Sequence, residues 1–265
     1  MAVDRHLARL SWPQLQACAE QPGSTVVWPW GAFEQHGPHL PMGTDALFAE
    51  RVLEAVLQRL AQLPLWSLPT QSIGFSPEHL DFPGTLSLEA EAVLGLVRQV
   101  GRQLAATGFQ RLVLFNGHGG QIALLQAAAR QLRREAPALA VLPCFLWSGA
   151  PEIGAWLPEP ERSGGLHGGL AETSLMLHLA PESVGPERPS DGALAEAPPP
   201  GWSLEGELPC AWLTTDLSRS GVVGNAAGAS AQLGAELFEA LVQGWCARFE
   251  ALMASSWPPV SAAGP

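Results

Sequence analysis

Apolar positions along this chain change their spacing several times, and each change marks an element. Between Ala46 and Leu60 they recur at Ala49, Val52, Leu53, Val56, Leu57 and Leu60, the three-and-four spacing of a helix that buries one face. Ser24 to Trp28 (STVVW) and Arg111 to Phe115 (RLVLF) are instead short continuous apolar runs, as strands covered on both faces require. Ala138 to Trp147 predicts a further strand. Helices are predicted over 11–20, with Ser11 as cap and Pro13 in the first turn, over 88–104, with acidic residues where the helix dipole favours them, and over 121–134. Another opens within 166–174 and runs to about Leu179, and a long one spans about 229–253. Residues 72–88 read as a long loop, 185–209 as a surface excursion, 220–224 as a turn and 254–265 as a disordered tail. Strands that lead through short segments into helices predict an α/β fold, organised as one domain over 1–253.

The segment after the first strand carries chemistry. In WPWGAFEQHGPHLPMGTDALF, from Trp28 to Phe48, Glu34, His36, His39 and Asp45 fall among glycines, prolines and apolar residues. Carboxylate oxygen and neutral imidazole nitrogen are what a divalent cation binds. In extended backbone, residues two apart point the same way, so Glu34 and His36 converge. Each residue also has a plainer use. Asp45 stands where a helix begins, the place of an N-cap, and His39, beside Pro38, suits a hydrogen-bonded structural histidine.

Composition narrows the mechanisms. The formal net charge is −11, which argues against nucleic acid or an anionic membrane as partner. All fourteen basic residues are arginines and tyrosine is absent, so Schiff-base lysine, P-loop lysine and tyrosine acid or base chemistry are excluded. Cys18, Cys144, Cys210 and Cys246 are scattered without a disulfide or C-x-x-C spacing. With no apolar stretch long enough to span a membrane and no leader pattern, the expected compartment is the cytoplasm.

The second strand ends in Asn116-Gly-His118-Gly-Gly120, followed by a helix. Strand, glycine turn and helix is also the order of a dinucleotide loop, but the third glycine of that fingerprint would fall at Ile122. Ser76, Glu78, His79 and Asp81 cluster in the long loop, where a substrate-facing wall is the expected role for Glu78 and His79. His167 and Glu172 lie at the start of another helix, where capping and dipole complementarity are the plainer uses. No G-x-S-x-G nucleophile elbow is present.

Five segments in order, Glu34-Gln-His-Gly-Pro-His-Leu-Pro with Gly43-Thr-Asp45, Glu78-His-Leu-Asp-Phe-Pro-Gly-Thr85, Asn116-Gly-His-Gly-Gly120, His167-Gly-Gly-Leu-Ala-Glu-Thr-Ser174 and Ser220-Gly-Val-Val-Gly224, resemble the creatininase (creatinine amidohydrolase) family. The resemblance implies a three-layer α/β/α sandwich with a mostly parallel central sheet, and a hydrolase with two divalent metal ions, zinc, manganese or iron. It implies Glu34 and His118 on one metal, His36 on the other and Asp45 bridging them, with a bridged water as nucleophile. His167 is then the proton donor to the leaving nitrogen, and the amides of Gly119 and Gly120 face the oxyanion. Creatininase carries a metal-binding glutamate where this chain has Gly120 and a tyrosine where it has Gly119, so Glu172 is the expected replacement ligand. The expected substrate is a small cyclic amide or formamide. The alternatives are trimming of a small peptide, as in the mycofactocin branch of the family, and a non-catalytic nucleotide- or phosphate-binding module. By the same resemblance the chain is expected to be a homo-oligomer, a hexamer.

Overall fold

The continuous apolar runs become the inner strands of one sheet. The computed structural model describes residues 4–159, 161–192 and 198–258. In it β1 (Thr25–Trp30), β2 (Leu65–Ser67), β3 (Arg111–Asn116) and β4 (Ala140–Phe145) lie in the order β2-β1-β3-β4. All pairings are parallel, with Val27 opposite both Ser67 and Val113. Parallel neighbours need crossovers, and helices supply them. α1 (Trp12–Ala19) precedes β1, and α2 (Thr44–Arg59), α3 (Ala90–Thr107) and α4 (Ile122–Glu135) connect successive strands. The short α5 (Glu161–Gly164), α6 (Leu170–Leu179), the short α7 (Thr214–Leu217) and the long α8 (Ala231–Ala254) follow.

Alternation along the strands divides the core in two. Val27, Val113 and Phe115 pack with α2, α6 and α8 on one face, while Val26, Trp28, Leu112 and Leu114 pack with α1, α3 and α4 on the other. The outcome is the three-layer α/β/α sandwich. Both central strands are buried along their whole length, which is why their sequences show no polar alternation.

The predicted helices lie within three residues of the observed ones. Two differences have physical causes. The first strand runs on to Trp30 through Pro29, which is tolerated because the residue faces the β2 side beyond Ser67, the last residue of β2 paired to β1. There the Pro29 carbonyl accepts from Gln71 N at 2.9 Å. β2 itself, only three residues, is too short to show a period. At the C-terminus the Arg111 guanidinium donates to the carbonyls of Ser255 and Trp257 at 3.1 and 2.7 Å, fastening the chain beyond α8. Residues 259–265 of the expected tail, and 193–197 of the expected surface excursion, lie outside the described residues. Among the described residues no helix is long and apolar enough to cross a membrane.

Candidate metal centre

The chemistry-bearing segments all lie beyond the C-terminal ends of β1 and β3, the two central strands, where a parallel sheet leaves a crevice. Glu34 and His36 follow β1, Asp45 is the second residue of α2, His118 follows β3, His167 precedes α6 and Glu172 is in its first turn. Glu78 and His79 form a single helical turn in the long loop. The ends approach closely because Gly117 lacks a side chain: a Cβ there would sit 2.5 Å from the Asp45 carbonyl oxygen.

Four buried residues form the nucleus. Asp45 Oδ1 is 3.2 Å from His36 Nε2, and Asp45 Oδ2 is 3.4 Å from His118 Nδ1. Glu34 Oε1 lies 3.2 Å from His118 Nδ1 and 3.9 Å from His36 Nε2. Asp45 thus stands between the two histidines, one oxygen toward each. Glu172 gathers with His36 and His167 in a second group; the donor atoms of these three, and likewise those of Glu34, Asp45 and His118, lie within 4.8 Å of one another. The N-cap of α2 is Gly43, so Asp45 is not needed as a cap and turns its side chain inward.

Outer hydrogen bonds orient these rings. The nitrogen of each that faces away from the nucleus donates to a backbone carbonyl: His36 Nδ1 to Glu34 at 3.2 Å, His118 Nε2 to Phe75 at 3.1 Å and His167 Nε2 to Gln35 at 2.6 Å. Their inward nitrogens are therefore lone pairs when the rings are neutral. The Ser76 hydroxyl donates to Glu34 Oε2. Glu34 Oε1 and Asp45 Oδ2 are buried and accept no hydrogen bond. Two orphaned carboxylate oxygens among inward imidazole nitrogens, which become lone pairs once a ring gives up its proton, fit a divalent cation, which would satisfy what the protein leaves open.

Charge in the centre is unbalanced toward the negative. Burial alone would lower the His36 pKa, but Asp45, Glu172 and Glu34 carry it up to about 10. His118 is likewise raised well above its ordinary value against burial, by Glu34, Asp45 and Glu78. Asp45, which burial would raise, is held far below the usual carboxylate range by His36 and His118. Burial pushes Glu172 up to about 7, against the pull of His36. His167 goes the other way: burial and then the neighbouring His36 and His79 hold it well below its ordinary value, so it is neutral.

Asp45, His118, His167 and Glu172 line a cavity of about 260 Å³, which Trp147 and Glu205 also line. A larger cavity of about 440 Å³ between β4 and α8 has no carboxylate or imidazole in its wall. Of the residues expected to face substrate, only Gly119 lines the smaller cavity. Gly120, Glu78 and His79 lie outside its wall. A side chain at position 120 would collide with the Glu78 carboxylate and the His118 ring, so Glu78 fills the space over Gly120. His39 stands apart, its Nε2 2.8 Å from Thr173 Oγ1. Sequence reading missed the amide of Gln35, although it lies between Glu34 and His36, and it missed Glu161, Glu205 and Thr214, which have no local signal.

The chain is 41% identical over 177 residues to a mycofactocin precursor peptide peptidase of Mycobacterium ulcerans, an alignment that spans 64% of each chain, just under two thirds of that relative's length. It is 31% identical over 213 residues to the creatinine amidohydrolase of Pseudomonas putida, covering 75% of this chain and 81% of the relative. A solved structure described as creatininase Mn superposes with a TM-score of 0.78 at 26% identity, over 97% of this chain and 100% of the other. The profile described as creatininase, creatinine amidohydrolase, matches residues 8–249, and the chain belongs to that family.

Proposed function

We propose that this chain is a metal-dependent amidohydrolase that holds two divalent cations through Glu34, His36, Asp45, His118 and Glu172 and cleaves a C–N amide bond. The observation that carries the reading is the pair of buried, unpartnered oxygens, Glu34 Oε1 and Asp45 Oδ2, set among inward-facing imidazoles. Bound cations of this kind activate water and polarise an amide carbonyl at neutral pH.

The chain's own residues do the rest. His167 is neutral, with Nε2–H held by the Gln35 carbonyl, so its Nδ1 lone pair is free to take a proton from water and return it to the leaving nitrogen. Glu172 receives the Gly168 N–H at 2.6 Å, which steers its carboxylate toward His36. Gly119 lines the cavity, and its backbone amide is available to an oxyanion there. Trp147 lines the same cavity and supplies an apolar surface that keeps the reacting bond from bulk water.

Two substrate classes follow from the family. A small cyclic amide or formamide fits a cavity of about 260 Å³. The end of a short peptide fits it too, and greater identity to a relative named as a peptide peptidase than to one named as a creatinine amidohydrolase supports this class. We place the peptide end first. The test is metal content per chain after purification without chelator, in the wild type and in Asp45→Asn, with turnover of short peptides, lactams and formamides measured beside it. Expected are two cations in the wild type, and in Asp45→Asn a loss of affinity beyond the roughly 10–100-fold typical of residues that only support ligands. Unchanged cation content in the variant, or none in the reloaded wild type, overturns the mechanism. Turnover of lactams or formamides without peptides reverses the order of the two classes.

A further inference from the structure

Four imidazole nitrogens surround Glu34 Oε1: His118 Nδ1 at 3.2 Å, His79 Nε2 at 3.5 Å, His167 Nδ1 at 3.6 Å and His36 Nε2 at 3.9 Å. By distance alone Glu34, His79 and His167 would make a further metal-binding group. A neutral imidazole carries one ring hydrogen, so the partner of the outer nitrogen decides whether the inner one is a lone pair or an N–H. For His36, His118 and His167 the outer partner is a carbonyl, which only accepts.

His79 is wired the opposite way. Its outer nitrogen, Nδ1, lies 2.9 Å from Gln35 Nε2 and 2.7 Å from Thr214 Oγ1. The Gln35 amide cannot turn over to offer its oxygen instead. Its Oε1 accepts from Gly37 N at 2.8 Å, and its Nε2 donates to the Gly221 carbonyl at 3.0 Å. The group facing His79 Nδ1 is therefore an NH2, which only donates. The Thr214 hydroxyl directs its one hydrogen either to the same atom or to the Glu78 carbonyl at 2.9 Å.

We infer that the Gln35 amide fixes His79 as the tautomer that carries its hydrogen on Nε2, 3.5 Å from Glu34 Oε1, with Thr214 packed on the other side of Nδ1, so that His79 is a positioning residue and not a metal ligand. The inference rests on the metal-centre reading for its functional meaning, but the tautomer itself is a property of the metal-free chain. The Ser76 hydroxyl donates to Oε2, while the His79 Nε2–H lies 3.5 Å from Oε1 without closing a hydrogen bond, so Glu34 is oriented from both sides and Oε1 stays open to a cation. The His79 ring also lies against His167 at 4.1 Å between centroids, and His167 against His36 at 4.1 Å. Fixing His79 thus fixes the face of the proton-transferring ring.

The test is nitrogen NMR of the full chain with isotope-labelled histidines, metal-free and loaded with an NMR-active cadmium isotope. Expected for His79 are a protonated Nε2 and an unprotonated Nδ1 in both states, with no coupling to cadmium, while His36 Nε2 and His118 Nδ1 split on loading. Cadmium coupling at His79 Nε2, or a proton on His79 Nδ1 in the metal-free chain, overturns the inference. In Gln35→Met with Thr214→Val, the His79 nitrogens are expected to shift toward the average of two tautomers. A single unchanged tautomer in that variant removes Gln35 from the role. Should cadmium couple to no histidine, the metal-centre reading fails, and the metal-free spectrum still decides the tautomer.

Discussion

Two sets of buried carboxylates in this molecule meet opposite surroundings. Glu161, 5% exposed, has both oxygens engaged: Oε1 accepts from Leu170 N at 2.6 Å and Oε2 from Asn225 N at 2.7 Å. Glu34 and Asp45 are as deeply buried, yet one oxygen of each accepts nothing. Burial of a carboxylate is therefore no sign of a metal site in itself; the kind of partner is. Backbone amides make Glu161 a brace. It caps α6, whose own N-cap is Gly169 without a side-chain bond, and ties that helix to the loop at Asn225. Since His167 and Glu172 flank the start of α6, the satisfied carboxylate supports the geometry in which the unsatisfied ones work.

The largest expected effect is on the pH dependence of cation binding. In the metal-free chain His36 titrates at about 10, so its proton is bound at neutral pH and a cation must displace it. Affinity for zinc is expected to rise with pH up to that value, about tenfold per pH unit for each proton displaced. Competition with a chromophoric chelator at several pH values measures it. A flat profile means that the histidines are not ligands, and the contrast between the two carboxylate sets collapses.

A smaller effect tests the brace. Gln in place of Glu161 turns an NH2 toward one of the two amides that the carboxylate satisfied. Leaving one buried N–H unpaired costs about 1–3 kcal/mol. Glu161→Gln is expected to lose that much in urea denaturation while keeping its cation content, the reverse of Asp45→Asn. Loss of cations in Glu161→Gln would show that the two sets are not separable.

The smallest effect lies at the surface. Arg59 on α2 pairs with Glu239 on α8 through two hydrogen bonds, but both side chains are nearly half exposed, at 42% and 46%. Solvent screens such pairs, and Arg59→Ala is expected to change stability by no more than about 1 kcal/mol in the same denaturation assay. A larger loss would mean that the contact between α2 and α8 depends on this pair more than on the apolar core beneath it.

Much of this was legible along the chain because the signals are local. A buried parallel strand must be apolar throughout, and an amphipathic helix must repeat its apolar face, so β1, β3, α2 and α4 declare themselves in windows of a few residues. Glu34, His36, Asp45 and His118 are legible for the same reason: each sits within a short segment at the end of a strand. By itself the sequence determined the layers, the strand ends that carry the chemistry and the residue types gathered there. Only the tertiary structure decided which oxygens stay unpaired, that Glu78 fills the space over Gly120, that Glu161 is a brace, and which nitrogen of each histidine faces inward. Those properties belong to contacts such as Gln35 with Gly221 or His79 with Thr214, between segments far apart in the chain. A hydrogen bond is defined by geometry within a few ångströms, and sequence spacing carries no information on that until the chain has folded.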